Sequence, residues 1–243
     1  MKKIFSACIL SLFLLSLMTS PGLSQETSDI LKKIVEAQGG KKVLENIKDM
    51  TSSGTIELTQ MGMTGSLTVY KKEPDKARMD IEVMGMIITQ AFDGETAWAV
   101  NPQTGSREEM PEQQAEYMKR SAIGIDHIIY PEKYGISFAY KGKEKIEEKE
   151  YLVLEQTFSD GYKSTIYIDP KTYLAYKTKS TTLNQMGVEV EQETFESDFK
   201  KVNGMIIAYS IIIFQDGEES MKLTLTDVTL NSGLEDSLFK MSE

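Results

Sequence analysis

The sequence has 243 residues, with 37 acidic and 27 basic side chains and a single cysteine, so its net charge is −10. An acidic chain is not expected to bind nucleic acid or to dock electrostatically on anionic lipid, because both are negatively charged. A single cysteine excludes a disulfide framework, so stability is expected to come from a packed core, which a chain of this length can supply as one domain.

The N-terminal residues have the order of a secretory signal peptide. Two lysines at positions 2 and 3 precede an apolar run, and a polar stretch of small residues ends at Ser24. The apolar run is shorter than a membrane-spanning helix requires. Cys8 lies early in the run, whereas a lipid-modified cysteine would follow it. We expect cleavage of residues 1–24 near Ser24, which leaves a single domain, residues 25–243, with no cysteine and a net charge of −12 because two lysines are lost.

The first elements after the signal peptide are predicted to be helices and then strands. Asp29–Met50 has the apolar spacing of two short amphipathic helices broken at Gly39 and Gly40, with Ser28 or Asp29 as the first cap. From Thr51 the apolar period becomes two, which predicts strands with one apolar and one solvated face.

The segment Ala91–Pro131 interrupts this strand pattern, and we expect the function to depend on it. It begins as a strand pair with the only tryptophan, Trp98. Residues 111–120 then predict a helix, because they contain no β-branched side chain and Pro111 suits a first helical turn. Two interpretations stay open: the helix fills one face of the sheet as a plug, or it covers a cavity as a lid.

Methionines in and near the interruption favour the lid, because methionine packs adaptably against ligands of variable shape. These methionines are Met84, Met86, Met110 and Met118.

The rest of the sequence predicts seven strands separated by short turns that favour antiparallel neighbours. They are Ile136–Tyr140, Tyr151–Phe158, Lys163–Asp169, Leu174–Thr182, Val188–Phe199, Met205–Phe214 and Met221–Leu230. The charged segment Lys141–Lys149 predicts an exposed hairpin tip. A meander of roughly ten or more strands must curl or close, so the predicted fold class is α+β, mainly β.

Few groups suited to catalysis are present. His127 is the only histidine, and no nucleophile elbow, HExxH, phosphate-binding loop or CxxC motif accompanies it. A structural role for His127 is the first interpretation, and a hydrolase that uses His127 or two carboxylates is the alternative. We expect no catalytic residue, no metal ligand and no cofactor.

Two stretches carry a specific pattern of turns and strands. In the first, LTVYKKEPDKARM is followed by IITQAFDGETAWAVNP, and the second is YIDPKTYLAYKTK. These stretches resemble the periplasmic outer-membrane lipoprotein carriers of the LolA/LolB-like family. The residues at matching spacings are Pro74, Arg78, Asp93, Gly94, Thr96, Trp98 and Pro102.

The resemblance implies a half-open antiparallel β-barrel with an N-terminal helix and a helical lid over an apolar cavity that receives acyl chains. It implies a non-catalytic periplasmic carrier that shuttles lipids or lipoproteins toward the outer membrane between an inner-membrane donor and an outer-membrane acceptor. We expect a monomer. The alternative is a periplasmic sensor or interaction module of the same fold that binds a protein or a peptide.

The candidate cavity residues combine the alternating strand positions with apolar side chains of the interruption. They are Ile56, Leu58, Leu67, Val69, Met79, Ile81, Val83, Ile88, Trp98, Met118, Ile123, Ile128 and Ile129.

One position departs from the family pattern. The resemblance implies an arginine directly before the strand-end proline, where it holds the lid by hydrogen bonds, but this chain has Glu73 there. Two interpretations of Arg78 stay open: it is a lid contact that donates to lid carbonyls in place of the missing arginine, or it is a surface charge on a strand.

Overall fold

The computed structural model describes residues 23–183 and 188–241, so the predicted signal peptide, apart from its last two residues, lies outside the described part. The described chain begins with two helices, as the apolar spacing predicts: α1 spans Gln25–Ala37 and α2 spans Lys41–Glu45. The cap of α1 is Ser24, whose Oγ accepts the N–H of Thr27 at 3.2 Å. The predicted caps Ser28 and Asp29 are wrong, because the helix starts early enough to bury Thr27.

Thirteen strands and a third helix follow the first two helices. The strands are β1 Asp49–Leu58, β2 Met63–Lys72, β3 Lys76–Val83, β4 Met86–Phe92, β5 Ala97–Val100, β6 Arg107–Glu109, β7 Ile136–Ile146, β8 Lys149–Phe158, β9 Lys163–Ile168, β10 Ala175–Leu183, β11 Glu189–Val202, β12 Met205–Gln215 and β13 Glu218–Leu230. Between β6 and β7 lies α3, Glu112–Ala122, close to the predicted helix. In the described residues no helix is long and apolar enough to cross a bilayer.

All thirteen strands form one antiparallel sheet in the order β6-β5-β4-β3-β2-β1-β13-β12-β11-β10-β9-β8-β7. The first strand pairs with the last, and the sheet stays open between its edges β6 and β7. The predicted fold class, α+β and mainly β with an unclosed antiparallel sheet, is confirmed.

The predicted hairpin tip at Lys141–Lys149 is wrong in extent. Strand β7 continues to Ile146, and only Glu147 and Glu148 form the turn. The charged side chains can occupy strands here because they pair along the exposed edge, as Lys143 does with Glu150 at 2.7 Å.

Residues 110–135, which we call the bridging segment, join the two edges of the sheet. They contain α3 and two 3-10 turns, Ile125–Ile128 and Pro131–Tyr134. Helix α3 packs through Met118 on β3–β5, while Arg120 forms an ion pair with Asp160 in the turn between β8 and β9. Because one short helix contacts both halves of the sheet, the sheet must curl into a half-barrel.

The curled sheet has a concave face that carries the helices and a convex face. Helices α1 and α2 pack on the concave side of β7–β9, where the largest core cluster lies. Residues 231–241, which we call the C-terminal strap, lie on the convex side of β3–β5, with Phe239 fully buried. Helices α1 and α2 therefore cover the concave side of β7–β9 but not that of the first strands.

Candidate functional site: the concave face

Apolar side chains of β1–β4, β12 and β13 share the concave face, and we call them the apolar wall. Residues paired across antiparallel strands point to the same face. Ile56 pairs with Leu223 on one side and with Gly65 on the other. The buried base of the wall is Ile56, Leu67 and Val83, and the partly buried side chains around it are Leu58, Met63, Val69, Met79, Ile81, Met221 and Leu223. The alternating strand positions chosen from the sequence all lie in this wall.

The wall ends at the turn between β3 and β4, and no described element covers it there. Ile88, which pairs with Ile81, is 39% exposed, and Met86 is 58% exposed. Met84, in the turn itself, is 78% exposed. The sequence grouped Met84 and Met86 with the interruption, but the hairpin carries them to the opposite end from α3. We call this uncovered end of the half-barrel its open end.

The candidate residues of the bridging segment pack at the closed end. Met118 contacts a cluster that includes Ala77 and Phe92. Ile123 and Ile128 pack with the core under α1. Ile129 lines a separate cavity of about 550 Å³ between α1 and the bridging segment. These residues therefore do not form one continuous lining with the apolar wall.

Trp98 does not face the concave side, so its prediction as a cavity residue is wrong. It is fully buried on the convex side, where its Nε1–H donates to the carbonyl oxygen of Phe239 at 2.8 Å. Its neighbours Ala97 and Ala99 face α3 instead. Only small side chains fit between α3 and β5, because the helix lies close to the strand. The large indole of Trp98 therefore points to the other face, where it packs against the C-terminal strap.

Arg78 also faces the C-terminal strap. Its Nη1 donates to the carbonyl oxygen of Leu238 at 3.0 Å, and its Nε donates to Asp80 at 3.1 Å. The prediction that Arg78 contacts the lid is therefore wrong. Arg78 follows Ala77, which faces α3, and adjacent residues on a strand point to opposite faces.

Glu73 contacts the bridging segment, which is the contact that the sequence analysis offered for Arg78. It does so as a hydrogen-bond acceptor, whereas an arginine would be a donor. Its Oε1 accepts the backbone N–H of Ile125 in the bridging segment at 2.8 Å. A Cβ at Gly124 would lie 2.1 Å from the other carboxylate oxygen, so only glycine permits this close approach. Burial raises the pKa of Glu73, as does the negative charge of Asp126, while the Ile125 N–H lowers it.

Glu73 was the residue that sequence reasoning missed, although a signal was present. It occupies the position before the strand-end proline, where the resemblance implies a lid-holding arginine. A carboxylate can accept a hydrogen bond from a backbone N–H, just as an arginine can donate one to a backbone carbonyl. The position before the proline therefore indicated the contact with the bridging segment, although the residue type differs.

The other polar groups of the bridging segment mostly bond within it. Asp126 accepts hydrogen bonds from the hydroxyl of Tyr134 and, at 3.0 Å, from Lys133. The Nδ1 of His127 lies 2.9 Å from the carbonyl oxygen of Gly124, and burial lowers the pKa of His127. This setting gives His127 a local structural contact within the turn.

Comparison with solved structures gives the same fold in other proteins. An outer-membrane lipoprotein-sorting protein domain from Vibrio parahaemolyticus superposes with a TM-score of 0.56 at 16% identity, over 86% of this chain and 95% of that one. A LolA superfamily protein from Nitrosomonas europaea gives 0.58 at 14% identity, over 86% and 97%. A DUF1329 family protein from Desulfovibrio piger gives 0.59 at 13% identity, over 88% and 96%.

The sequence itself matches no protein-family model and no curated protein. At these identities the structural likeness concerns the fold, and it extends over nearly the whole of each compared chain. The half-barrel with its N-terminal helix and bridging segment is thus a LolA-like fold, as the sequence resemblance predicted.

Proposed function

We propose that the protein is an exported, non-catalytic carrier that holds the acyl chains of lipids or lipoproteins on its concave face. The observation that carries this proposal is the apolar wall, whose side chains stay partly exposed toward the open end. Contiguous apolar side chains that stay exposed to solvent are typical of a binding site. The names of two compared proteins, a lipoprotein-sorting domain and a LolA superfamily protein, support the same class of cargo.

Burial of the chain supplies the driving force for loading. Each methylene moved from water to the apolar wall contributes about 0.8 kcal/mol. The methionines at the open end, Met63, Met86 and Met221, suit a cargo of variable shape because the thioether side chain is flexible. The bridging segment closes the other end and acts as the lid, with Glu73 as one of its attachments.

We further propose that the mature protein, residues 25–243, works as a monomer in the periplasm after cleavage near Ser24. The apolar run and the small-residue exit of the first 24 residues support export. A carrier of this kind takes its cargo from a donor in the inner membrane and passes it to an acceptor in the outer membrane.

The proposal is tested by native mass spectrometry and solvent extraction of protein purified without detergent. We expect at least one acyl-chain lipid or lipoprotein fragment bound per protein. A protein that carries no lipid, and that rejects added lipids, would contradict the proposal and favour the interaction module, which crosslinking to a periplasmic partner would then test.

Substitution of one side chain in the apolar wall tests the location of the cargo. Ile81→Glu should lower lipid occupancy at least tenfold, because an ionised carboxylate in an apolar site costs several kcal/mol. Ile87→Glu is the matched control, since Ile87 lies on the convex face of the same hairpin and is already 59% exposed. Equal occupancy in both variants, with both folded, would place the cargo elsewhere.

A further inference from the structure

Glu196 is an acidic side chain on the concave face, in register with the apolar wall. It pairs with Ile211 on β12, Ile211 pairs with Leu223 on β13, and Leu223 pairs with Ile56 on β1. Three strand spacings separate Glu196 from Ile56, which is roughly 14 Å along the sheet. One row across four strands thus runs from a carboxylate to the buried base of the wall.

Further polar side chains extend from Glu196 toward the open end. On the same face of β11 lie Thr194 and Gln192, which pair with Thr178 and Ser180 of β10. These five residues, which we call the polar strip, are half-buried, and within the described residues none forms a side-chain hydrogen bond. The concave face is therefore divided into an apolar wall and a polar strip whose side chains form no hydrogen bond to another described side chain or backbone group.

The convex face of the same strands has a different arrangement. There Glu193 pairs with Lys177 at 2.9 Å, and Glu191 pairs with Lys179 at 2.7 Å. A row of aromatic rings also packs there, with Phe195 contacting Phe214 at a centroid distance of 5.5 Å. The acids of β11 are thus neutralised on the outside, whereas no described cation pairs with Glu196 inside.

The pKa of Glu196 is consistent with the lack of a described cationic partner. Burial raises the pKa of Glu196 to about 7, and no neighbouring charge contributes to the shift. Two described lysines on the concave face lie elsewhere: Lys71 is near the closed end beside Glu73, where burial lowers its pKa, and Lys200 pairs with Asp198 and lies over Tyr209. A half-buried carboxylate without a partner is only partly solvated, and a bound cation would stabilise its charge.

We infer that the cargo is an amphiphile with a cationic amine headgroup, whose ammonium pairs with Glu196 while its chain lies on the apolar wall. This inference rests on the proposed carrier function and adds the chemistry of the headgroup. The amine donates hydrogen bonds to the carboxylate and to the hydroxyl and amide oxygens of the polar strip. Glu196 is then the residue that decides which headgroup is accepted.

The test compares three probes that share one chain and differ only in the headgroup: dodecylammonium, dodecanol and dodecanoate. Binding to the mature protein is measured by isothermal titration calorimetry below the micelle concentration, at 150 mM salt to screen the acidic surface. We expect the amine to bind about tenfold more tightly than the alcohol, because hydrogen bonds to charged groups are the stronger ones, and the carboxylate to bind most weakly.

Substitutions on the two faces of β11 separate a pairing role from a general effect of charge. Glu196→Gln should remove the preference for the amine over the alcohol, and a circular dichroism spectrum like that of the unmodified protein would show that the variant folds. Glu193→Gln removes an equal charge from the convex face and should keep the preference. Glu196→Asp should keep most of it, because the carboxylate remains.

The outcomes distinguish this inference from the proposed function. If the unmodified protein binds none of the three probes, the carrier function itself fails. If it binds all three equally, prefers the carboxylate, or keeps its preference for the amine in Glu196→Gln, the carrier function stands and the inferred headgroup is wrong.

Discussion

Glu73 attaches the bridging segment to the sheet through one hydrogen bond, at a place where the two chain segments approach closely. Its carboxylate lies against Gly124 and accepts the N–H of Ile125 at 2.8 Å. Hydrogen bonds to charged acceptors contribute about 1.5–3 kcal/mol. Burial raises the pKa of Glu73, and a more basic carboxylate is a stronger acceptor for the N–H of Ile125.

Replacing Glu73 with alanine should therefore loosen the bridging segment. We expect amide hydrogen exchange at Ile125 to become about tenfold faster, because this N–H loses its acceptor. Glu73→Gln should give an intermediate rate, since its carbonyl oxygen still accepts. Glu132→Ala removes an exposed acid from the same segment and should leave the rate unchanged; a similar acceleration there would contradict a specific attachment.

At the scale of elements, α3 connects the two sides of the open sheet. It packs on β3–β5, and Arg120 reaches the turn between β8 and β9, where it pairs with Asp160 and stacks on Tyr162 at 4.1 Å. Burial acts to raise the pKa of Asp160, but the N–H of Tyr162 and the pairing with Arg120 together outweigh it, so that this pKa is lowered. The curvature of the sheet is thus fixed by a contact between elements far apart in its strand order.

A double-mutant cycle on this contact should show coupling between the two halves. We expect Arg120→Ala and Asp160→Ala each to lower the free energy of unfolding, with a coupling energy of about 1 kcal/mol. Both variants should also release lipid faster, because α3 is held at one side only. Lys119→Ala, which breaks the exposed pair with Glu116 on the same helix, is the control. Additive effects of Arg120→Ala and Asp160→Ala in chemical denaturation would contradict the coupling.

At the scale of the whole molecule, the concave face carries a carboxylate, Glu196, that forms no ion pair with a described cation. The ordinary pKa of a glutamate is 4.5, and burial raises that of Glu196 to about 7. The folded protein therefore binds more protons than the unfolded chain between these values, so the contribution of Glu196 to stability falls as pH rises through this window.

Glu196→Gln should consequently stabilise the empty protein more at pH 8 than at pH 5. We expect the difference to be about 1–2 kcal/mol, below the full value of the shift because water reaches the concave face. The melting temperature should rise by about 3–6 °C at pH 8 relative to the unmodified protein. The comparison of the two proteins at each pH cancels the effects of His127 and Lys71. A pH-independent difference would show that Glu196 is solvated.

The sequence predicted the strands well, because alternation with a period of two is a local property. The strands from β8 to β13 begin and end within a few residues of their predicted bounds, and Ile56, Leu67 and Val83 share the face that alternation assigned to them. The prediction for Trp98 was wrong, because alternation separates the side chains of a strand into two faces but does not say which face is concave. In β5 the large side chain turns outward since α3 leaves room only for Ala97 and Ala99.

By itself the sequence determined the antiparallel meander and the apolar side of the first strands, because both depend on residues close together in the chain. Only the tertiary structure decided that β1 pairs with β13 and that Trp98 and Arg78 bind the C-terminal strap. It also decided that Glu196 faces Ile211 on the inside of the sheet. Those contacts join residues far apart in the chain, and a pattern along one strand cannot specify what the curled sheet brings opposite to it.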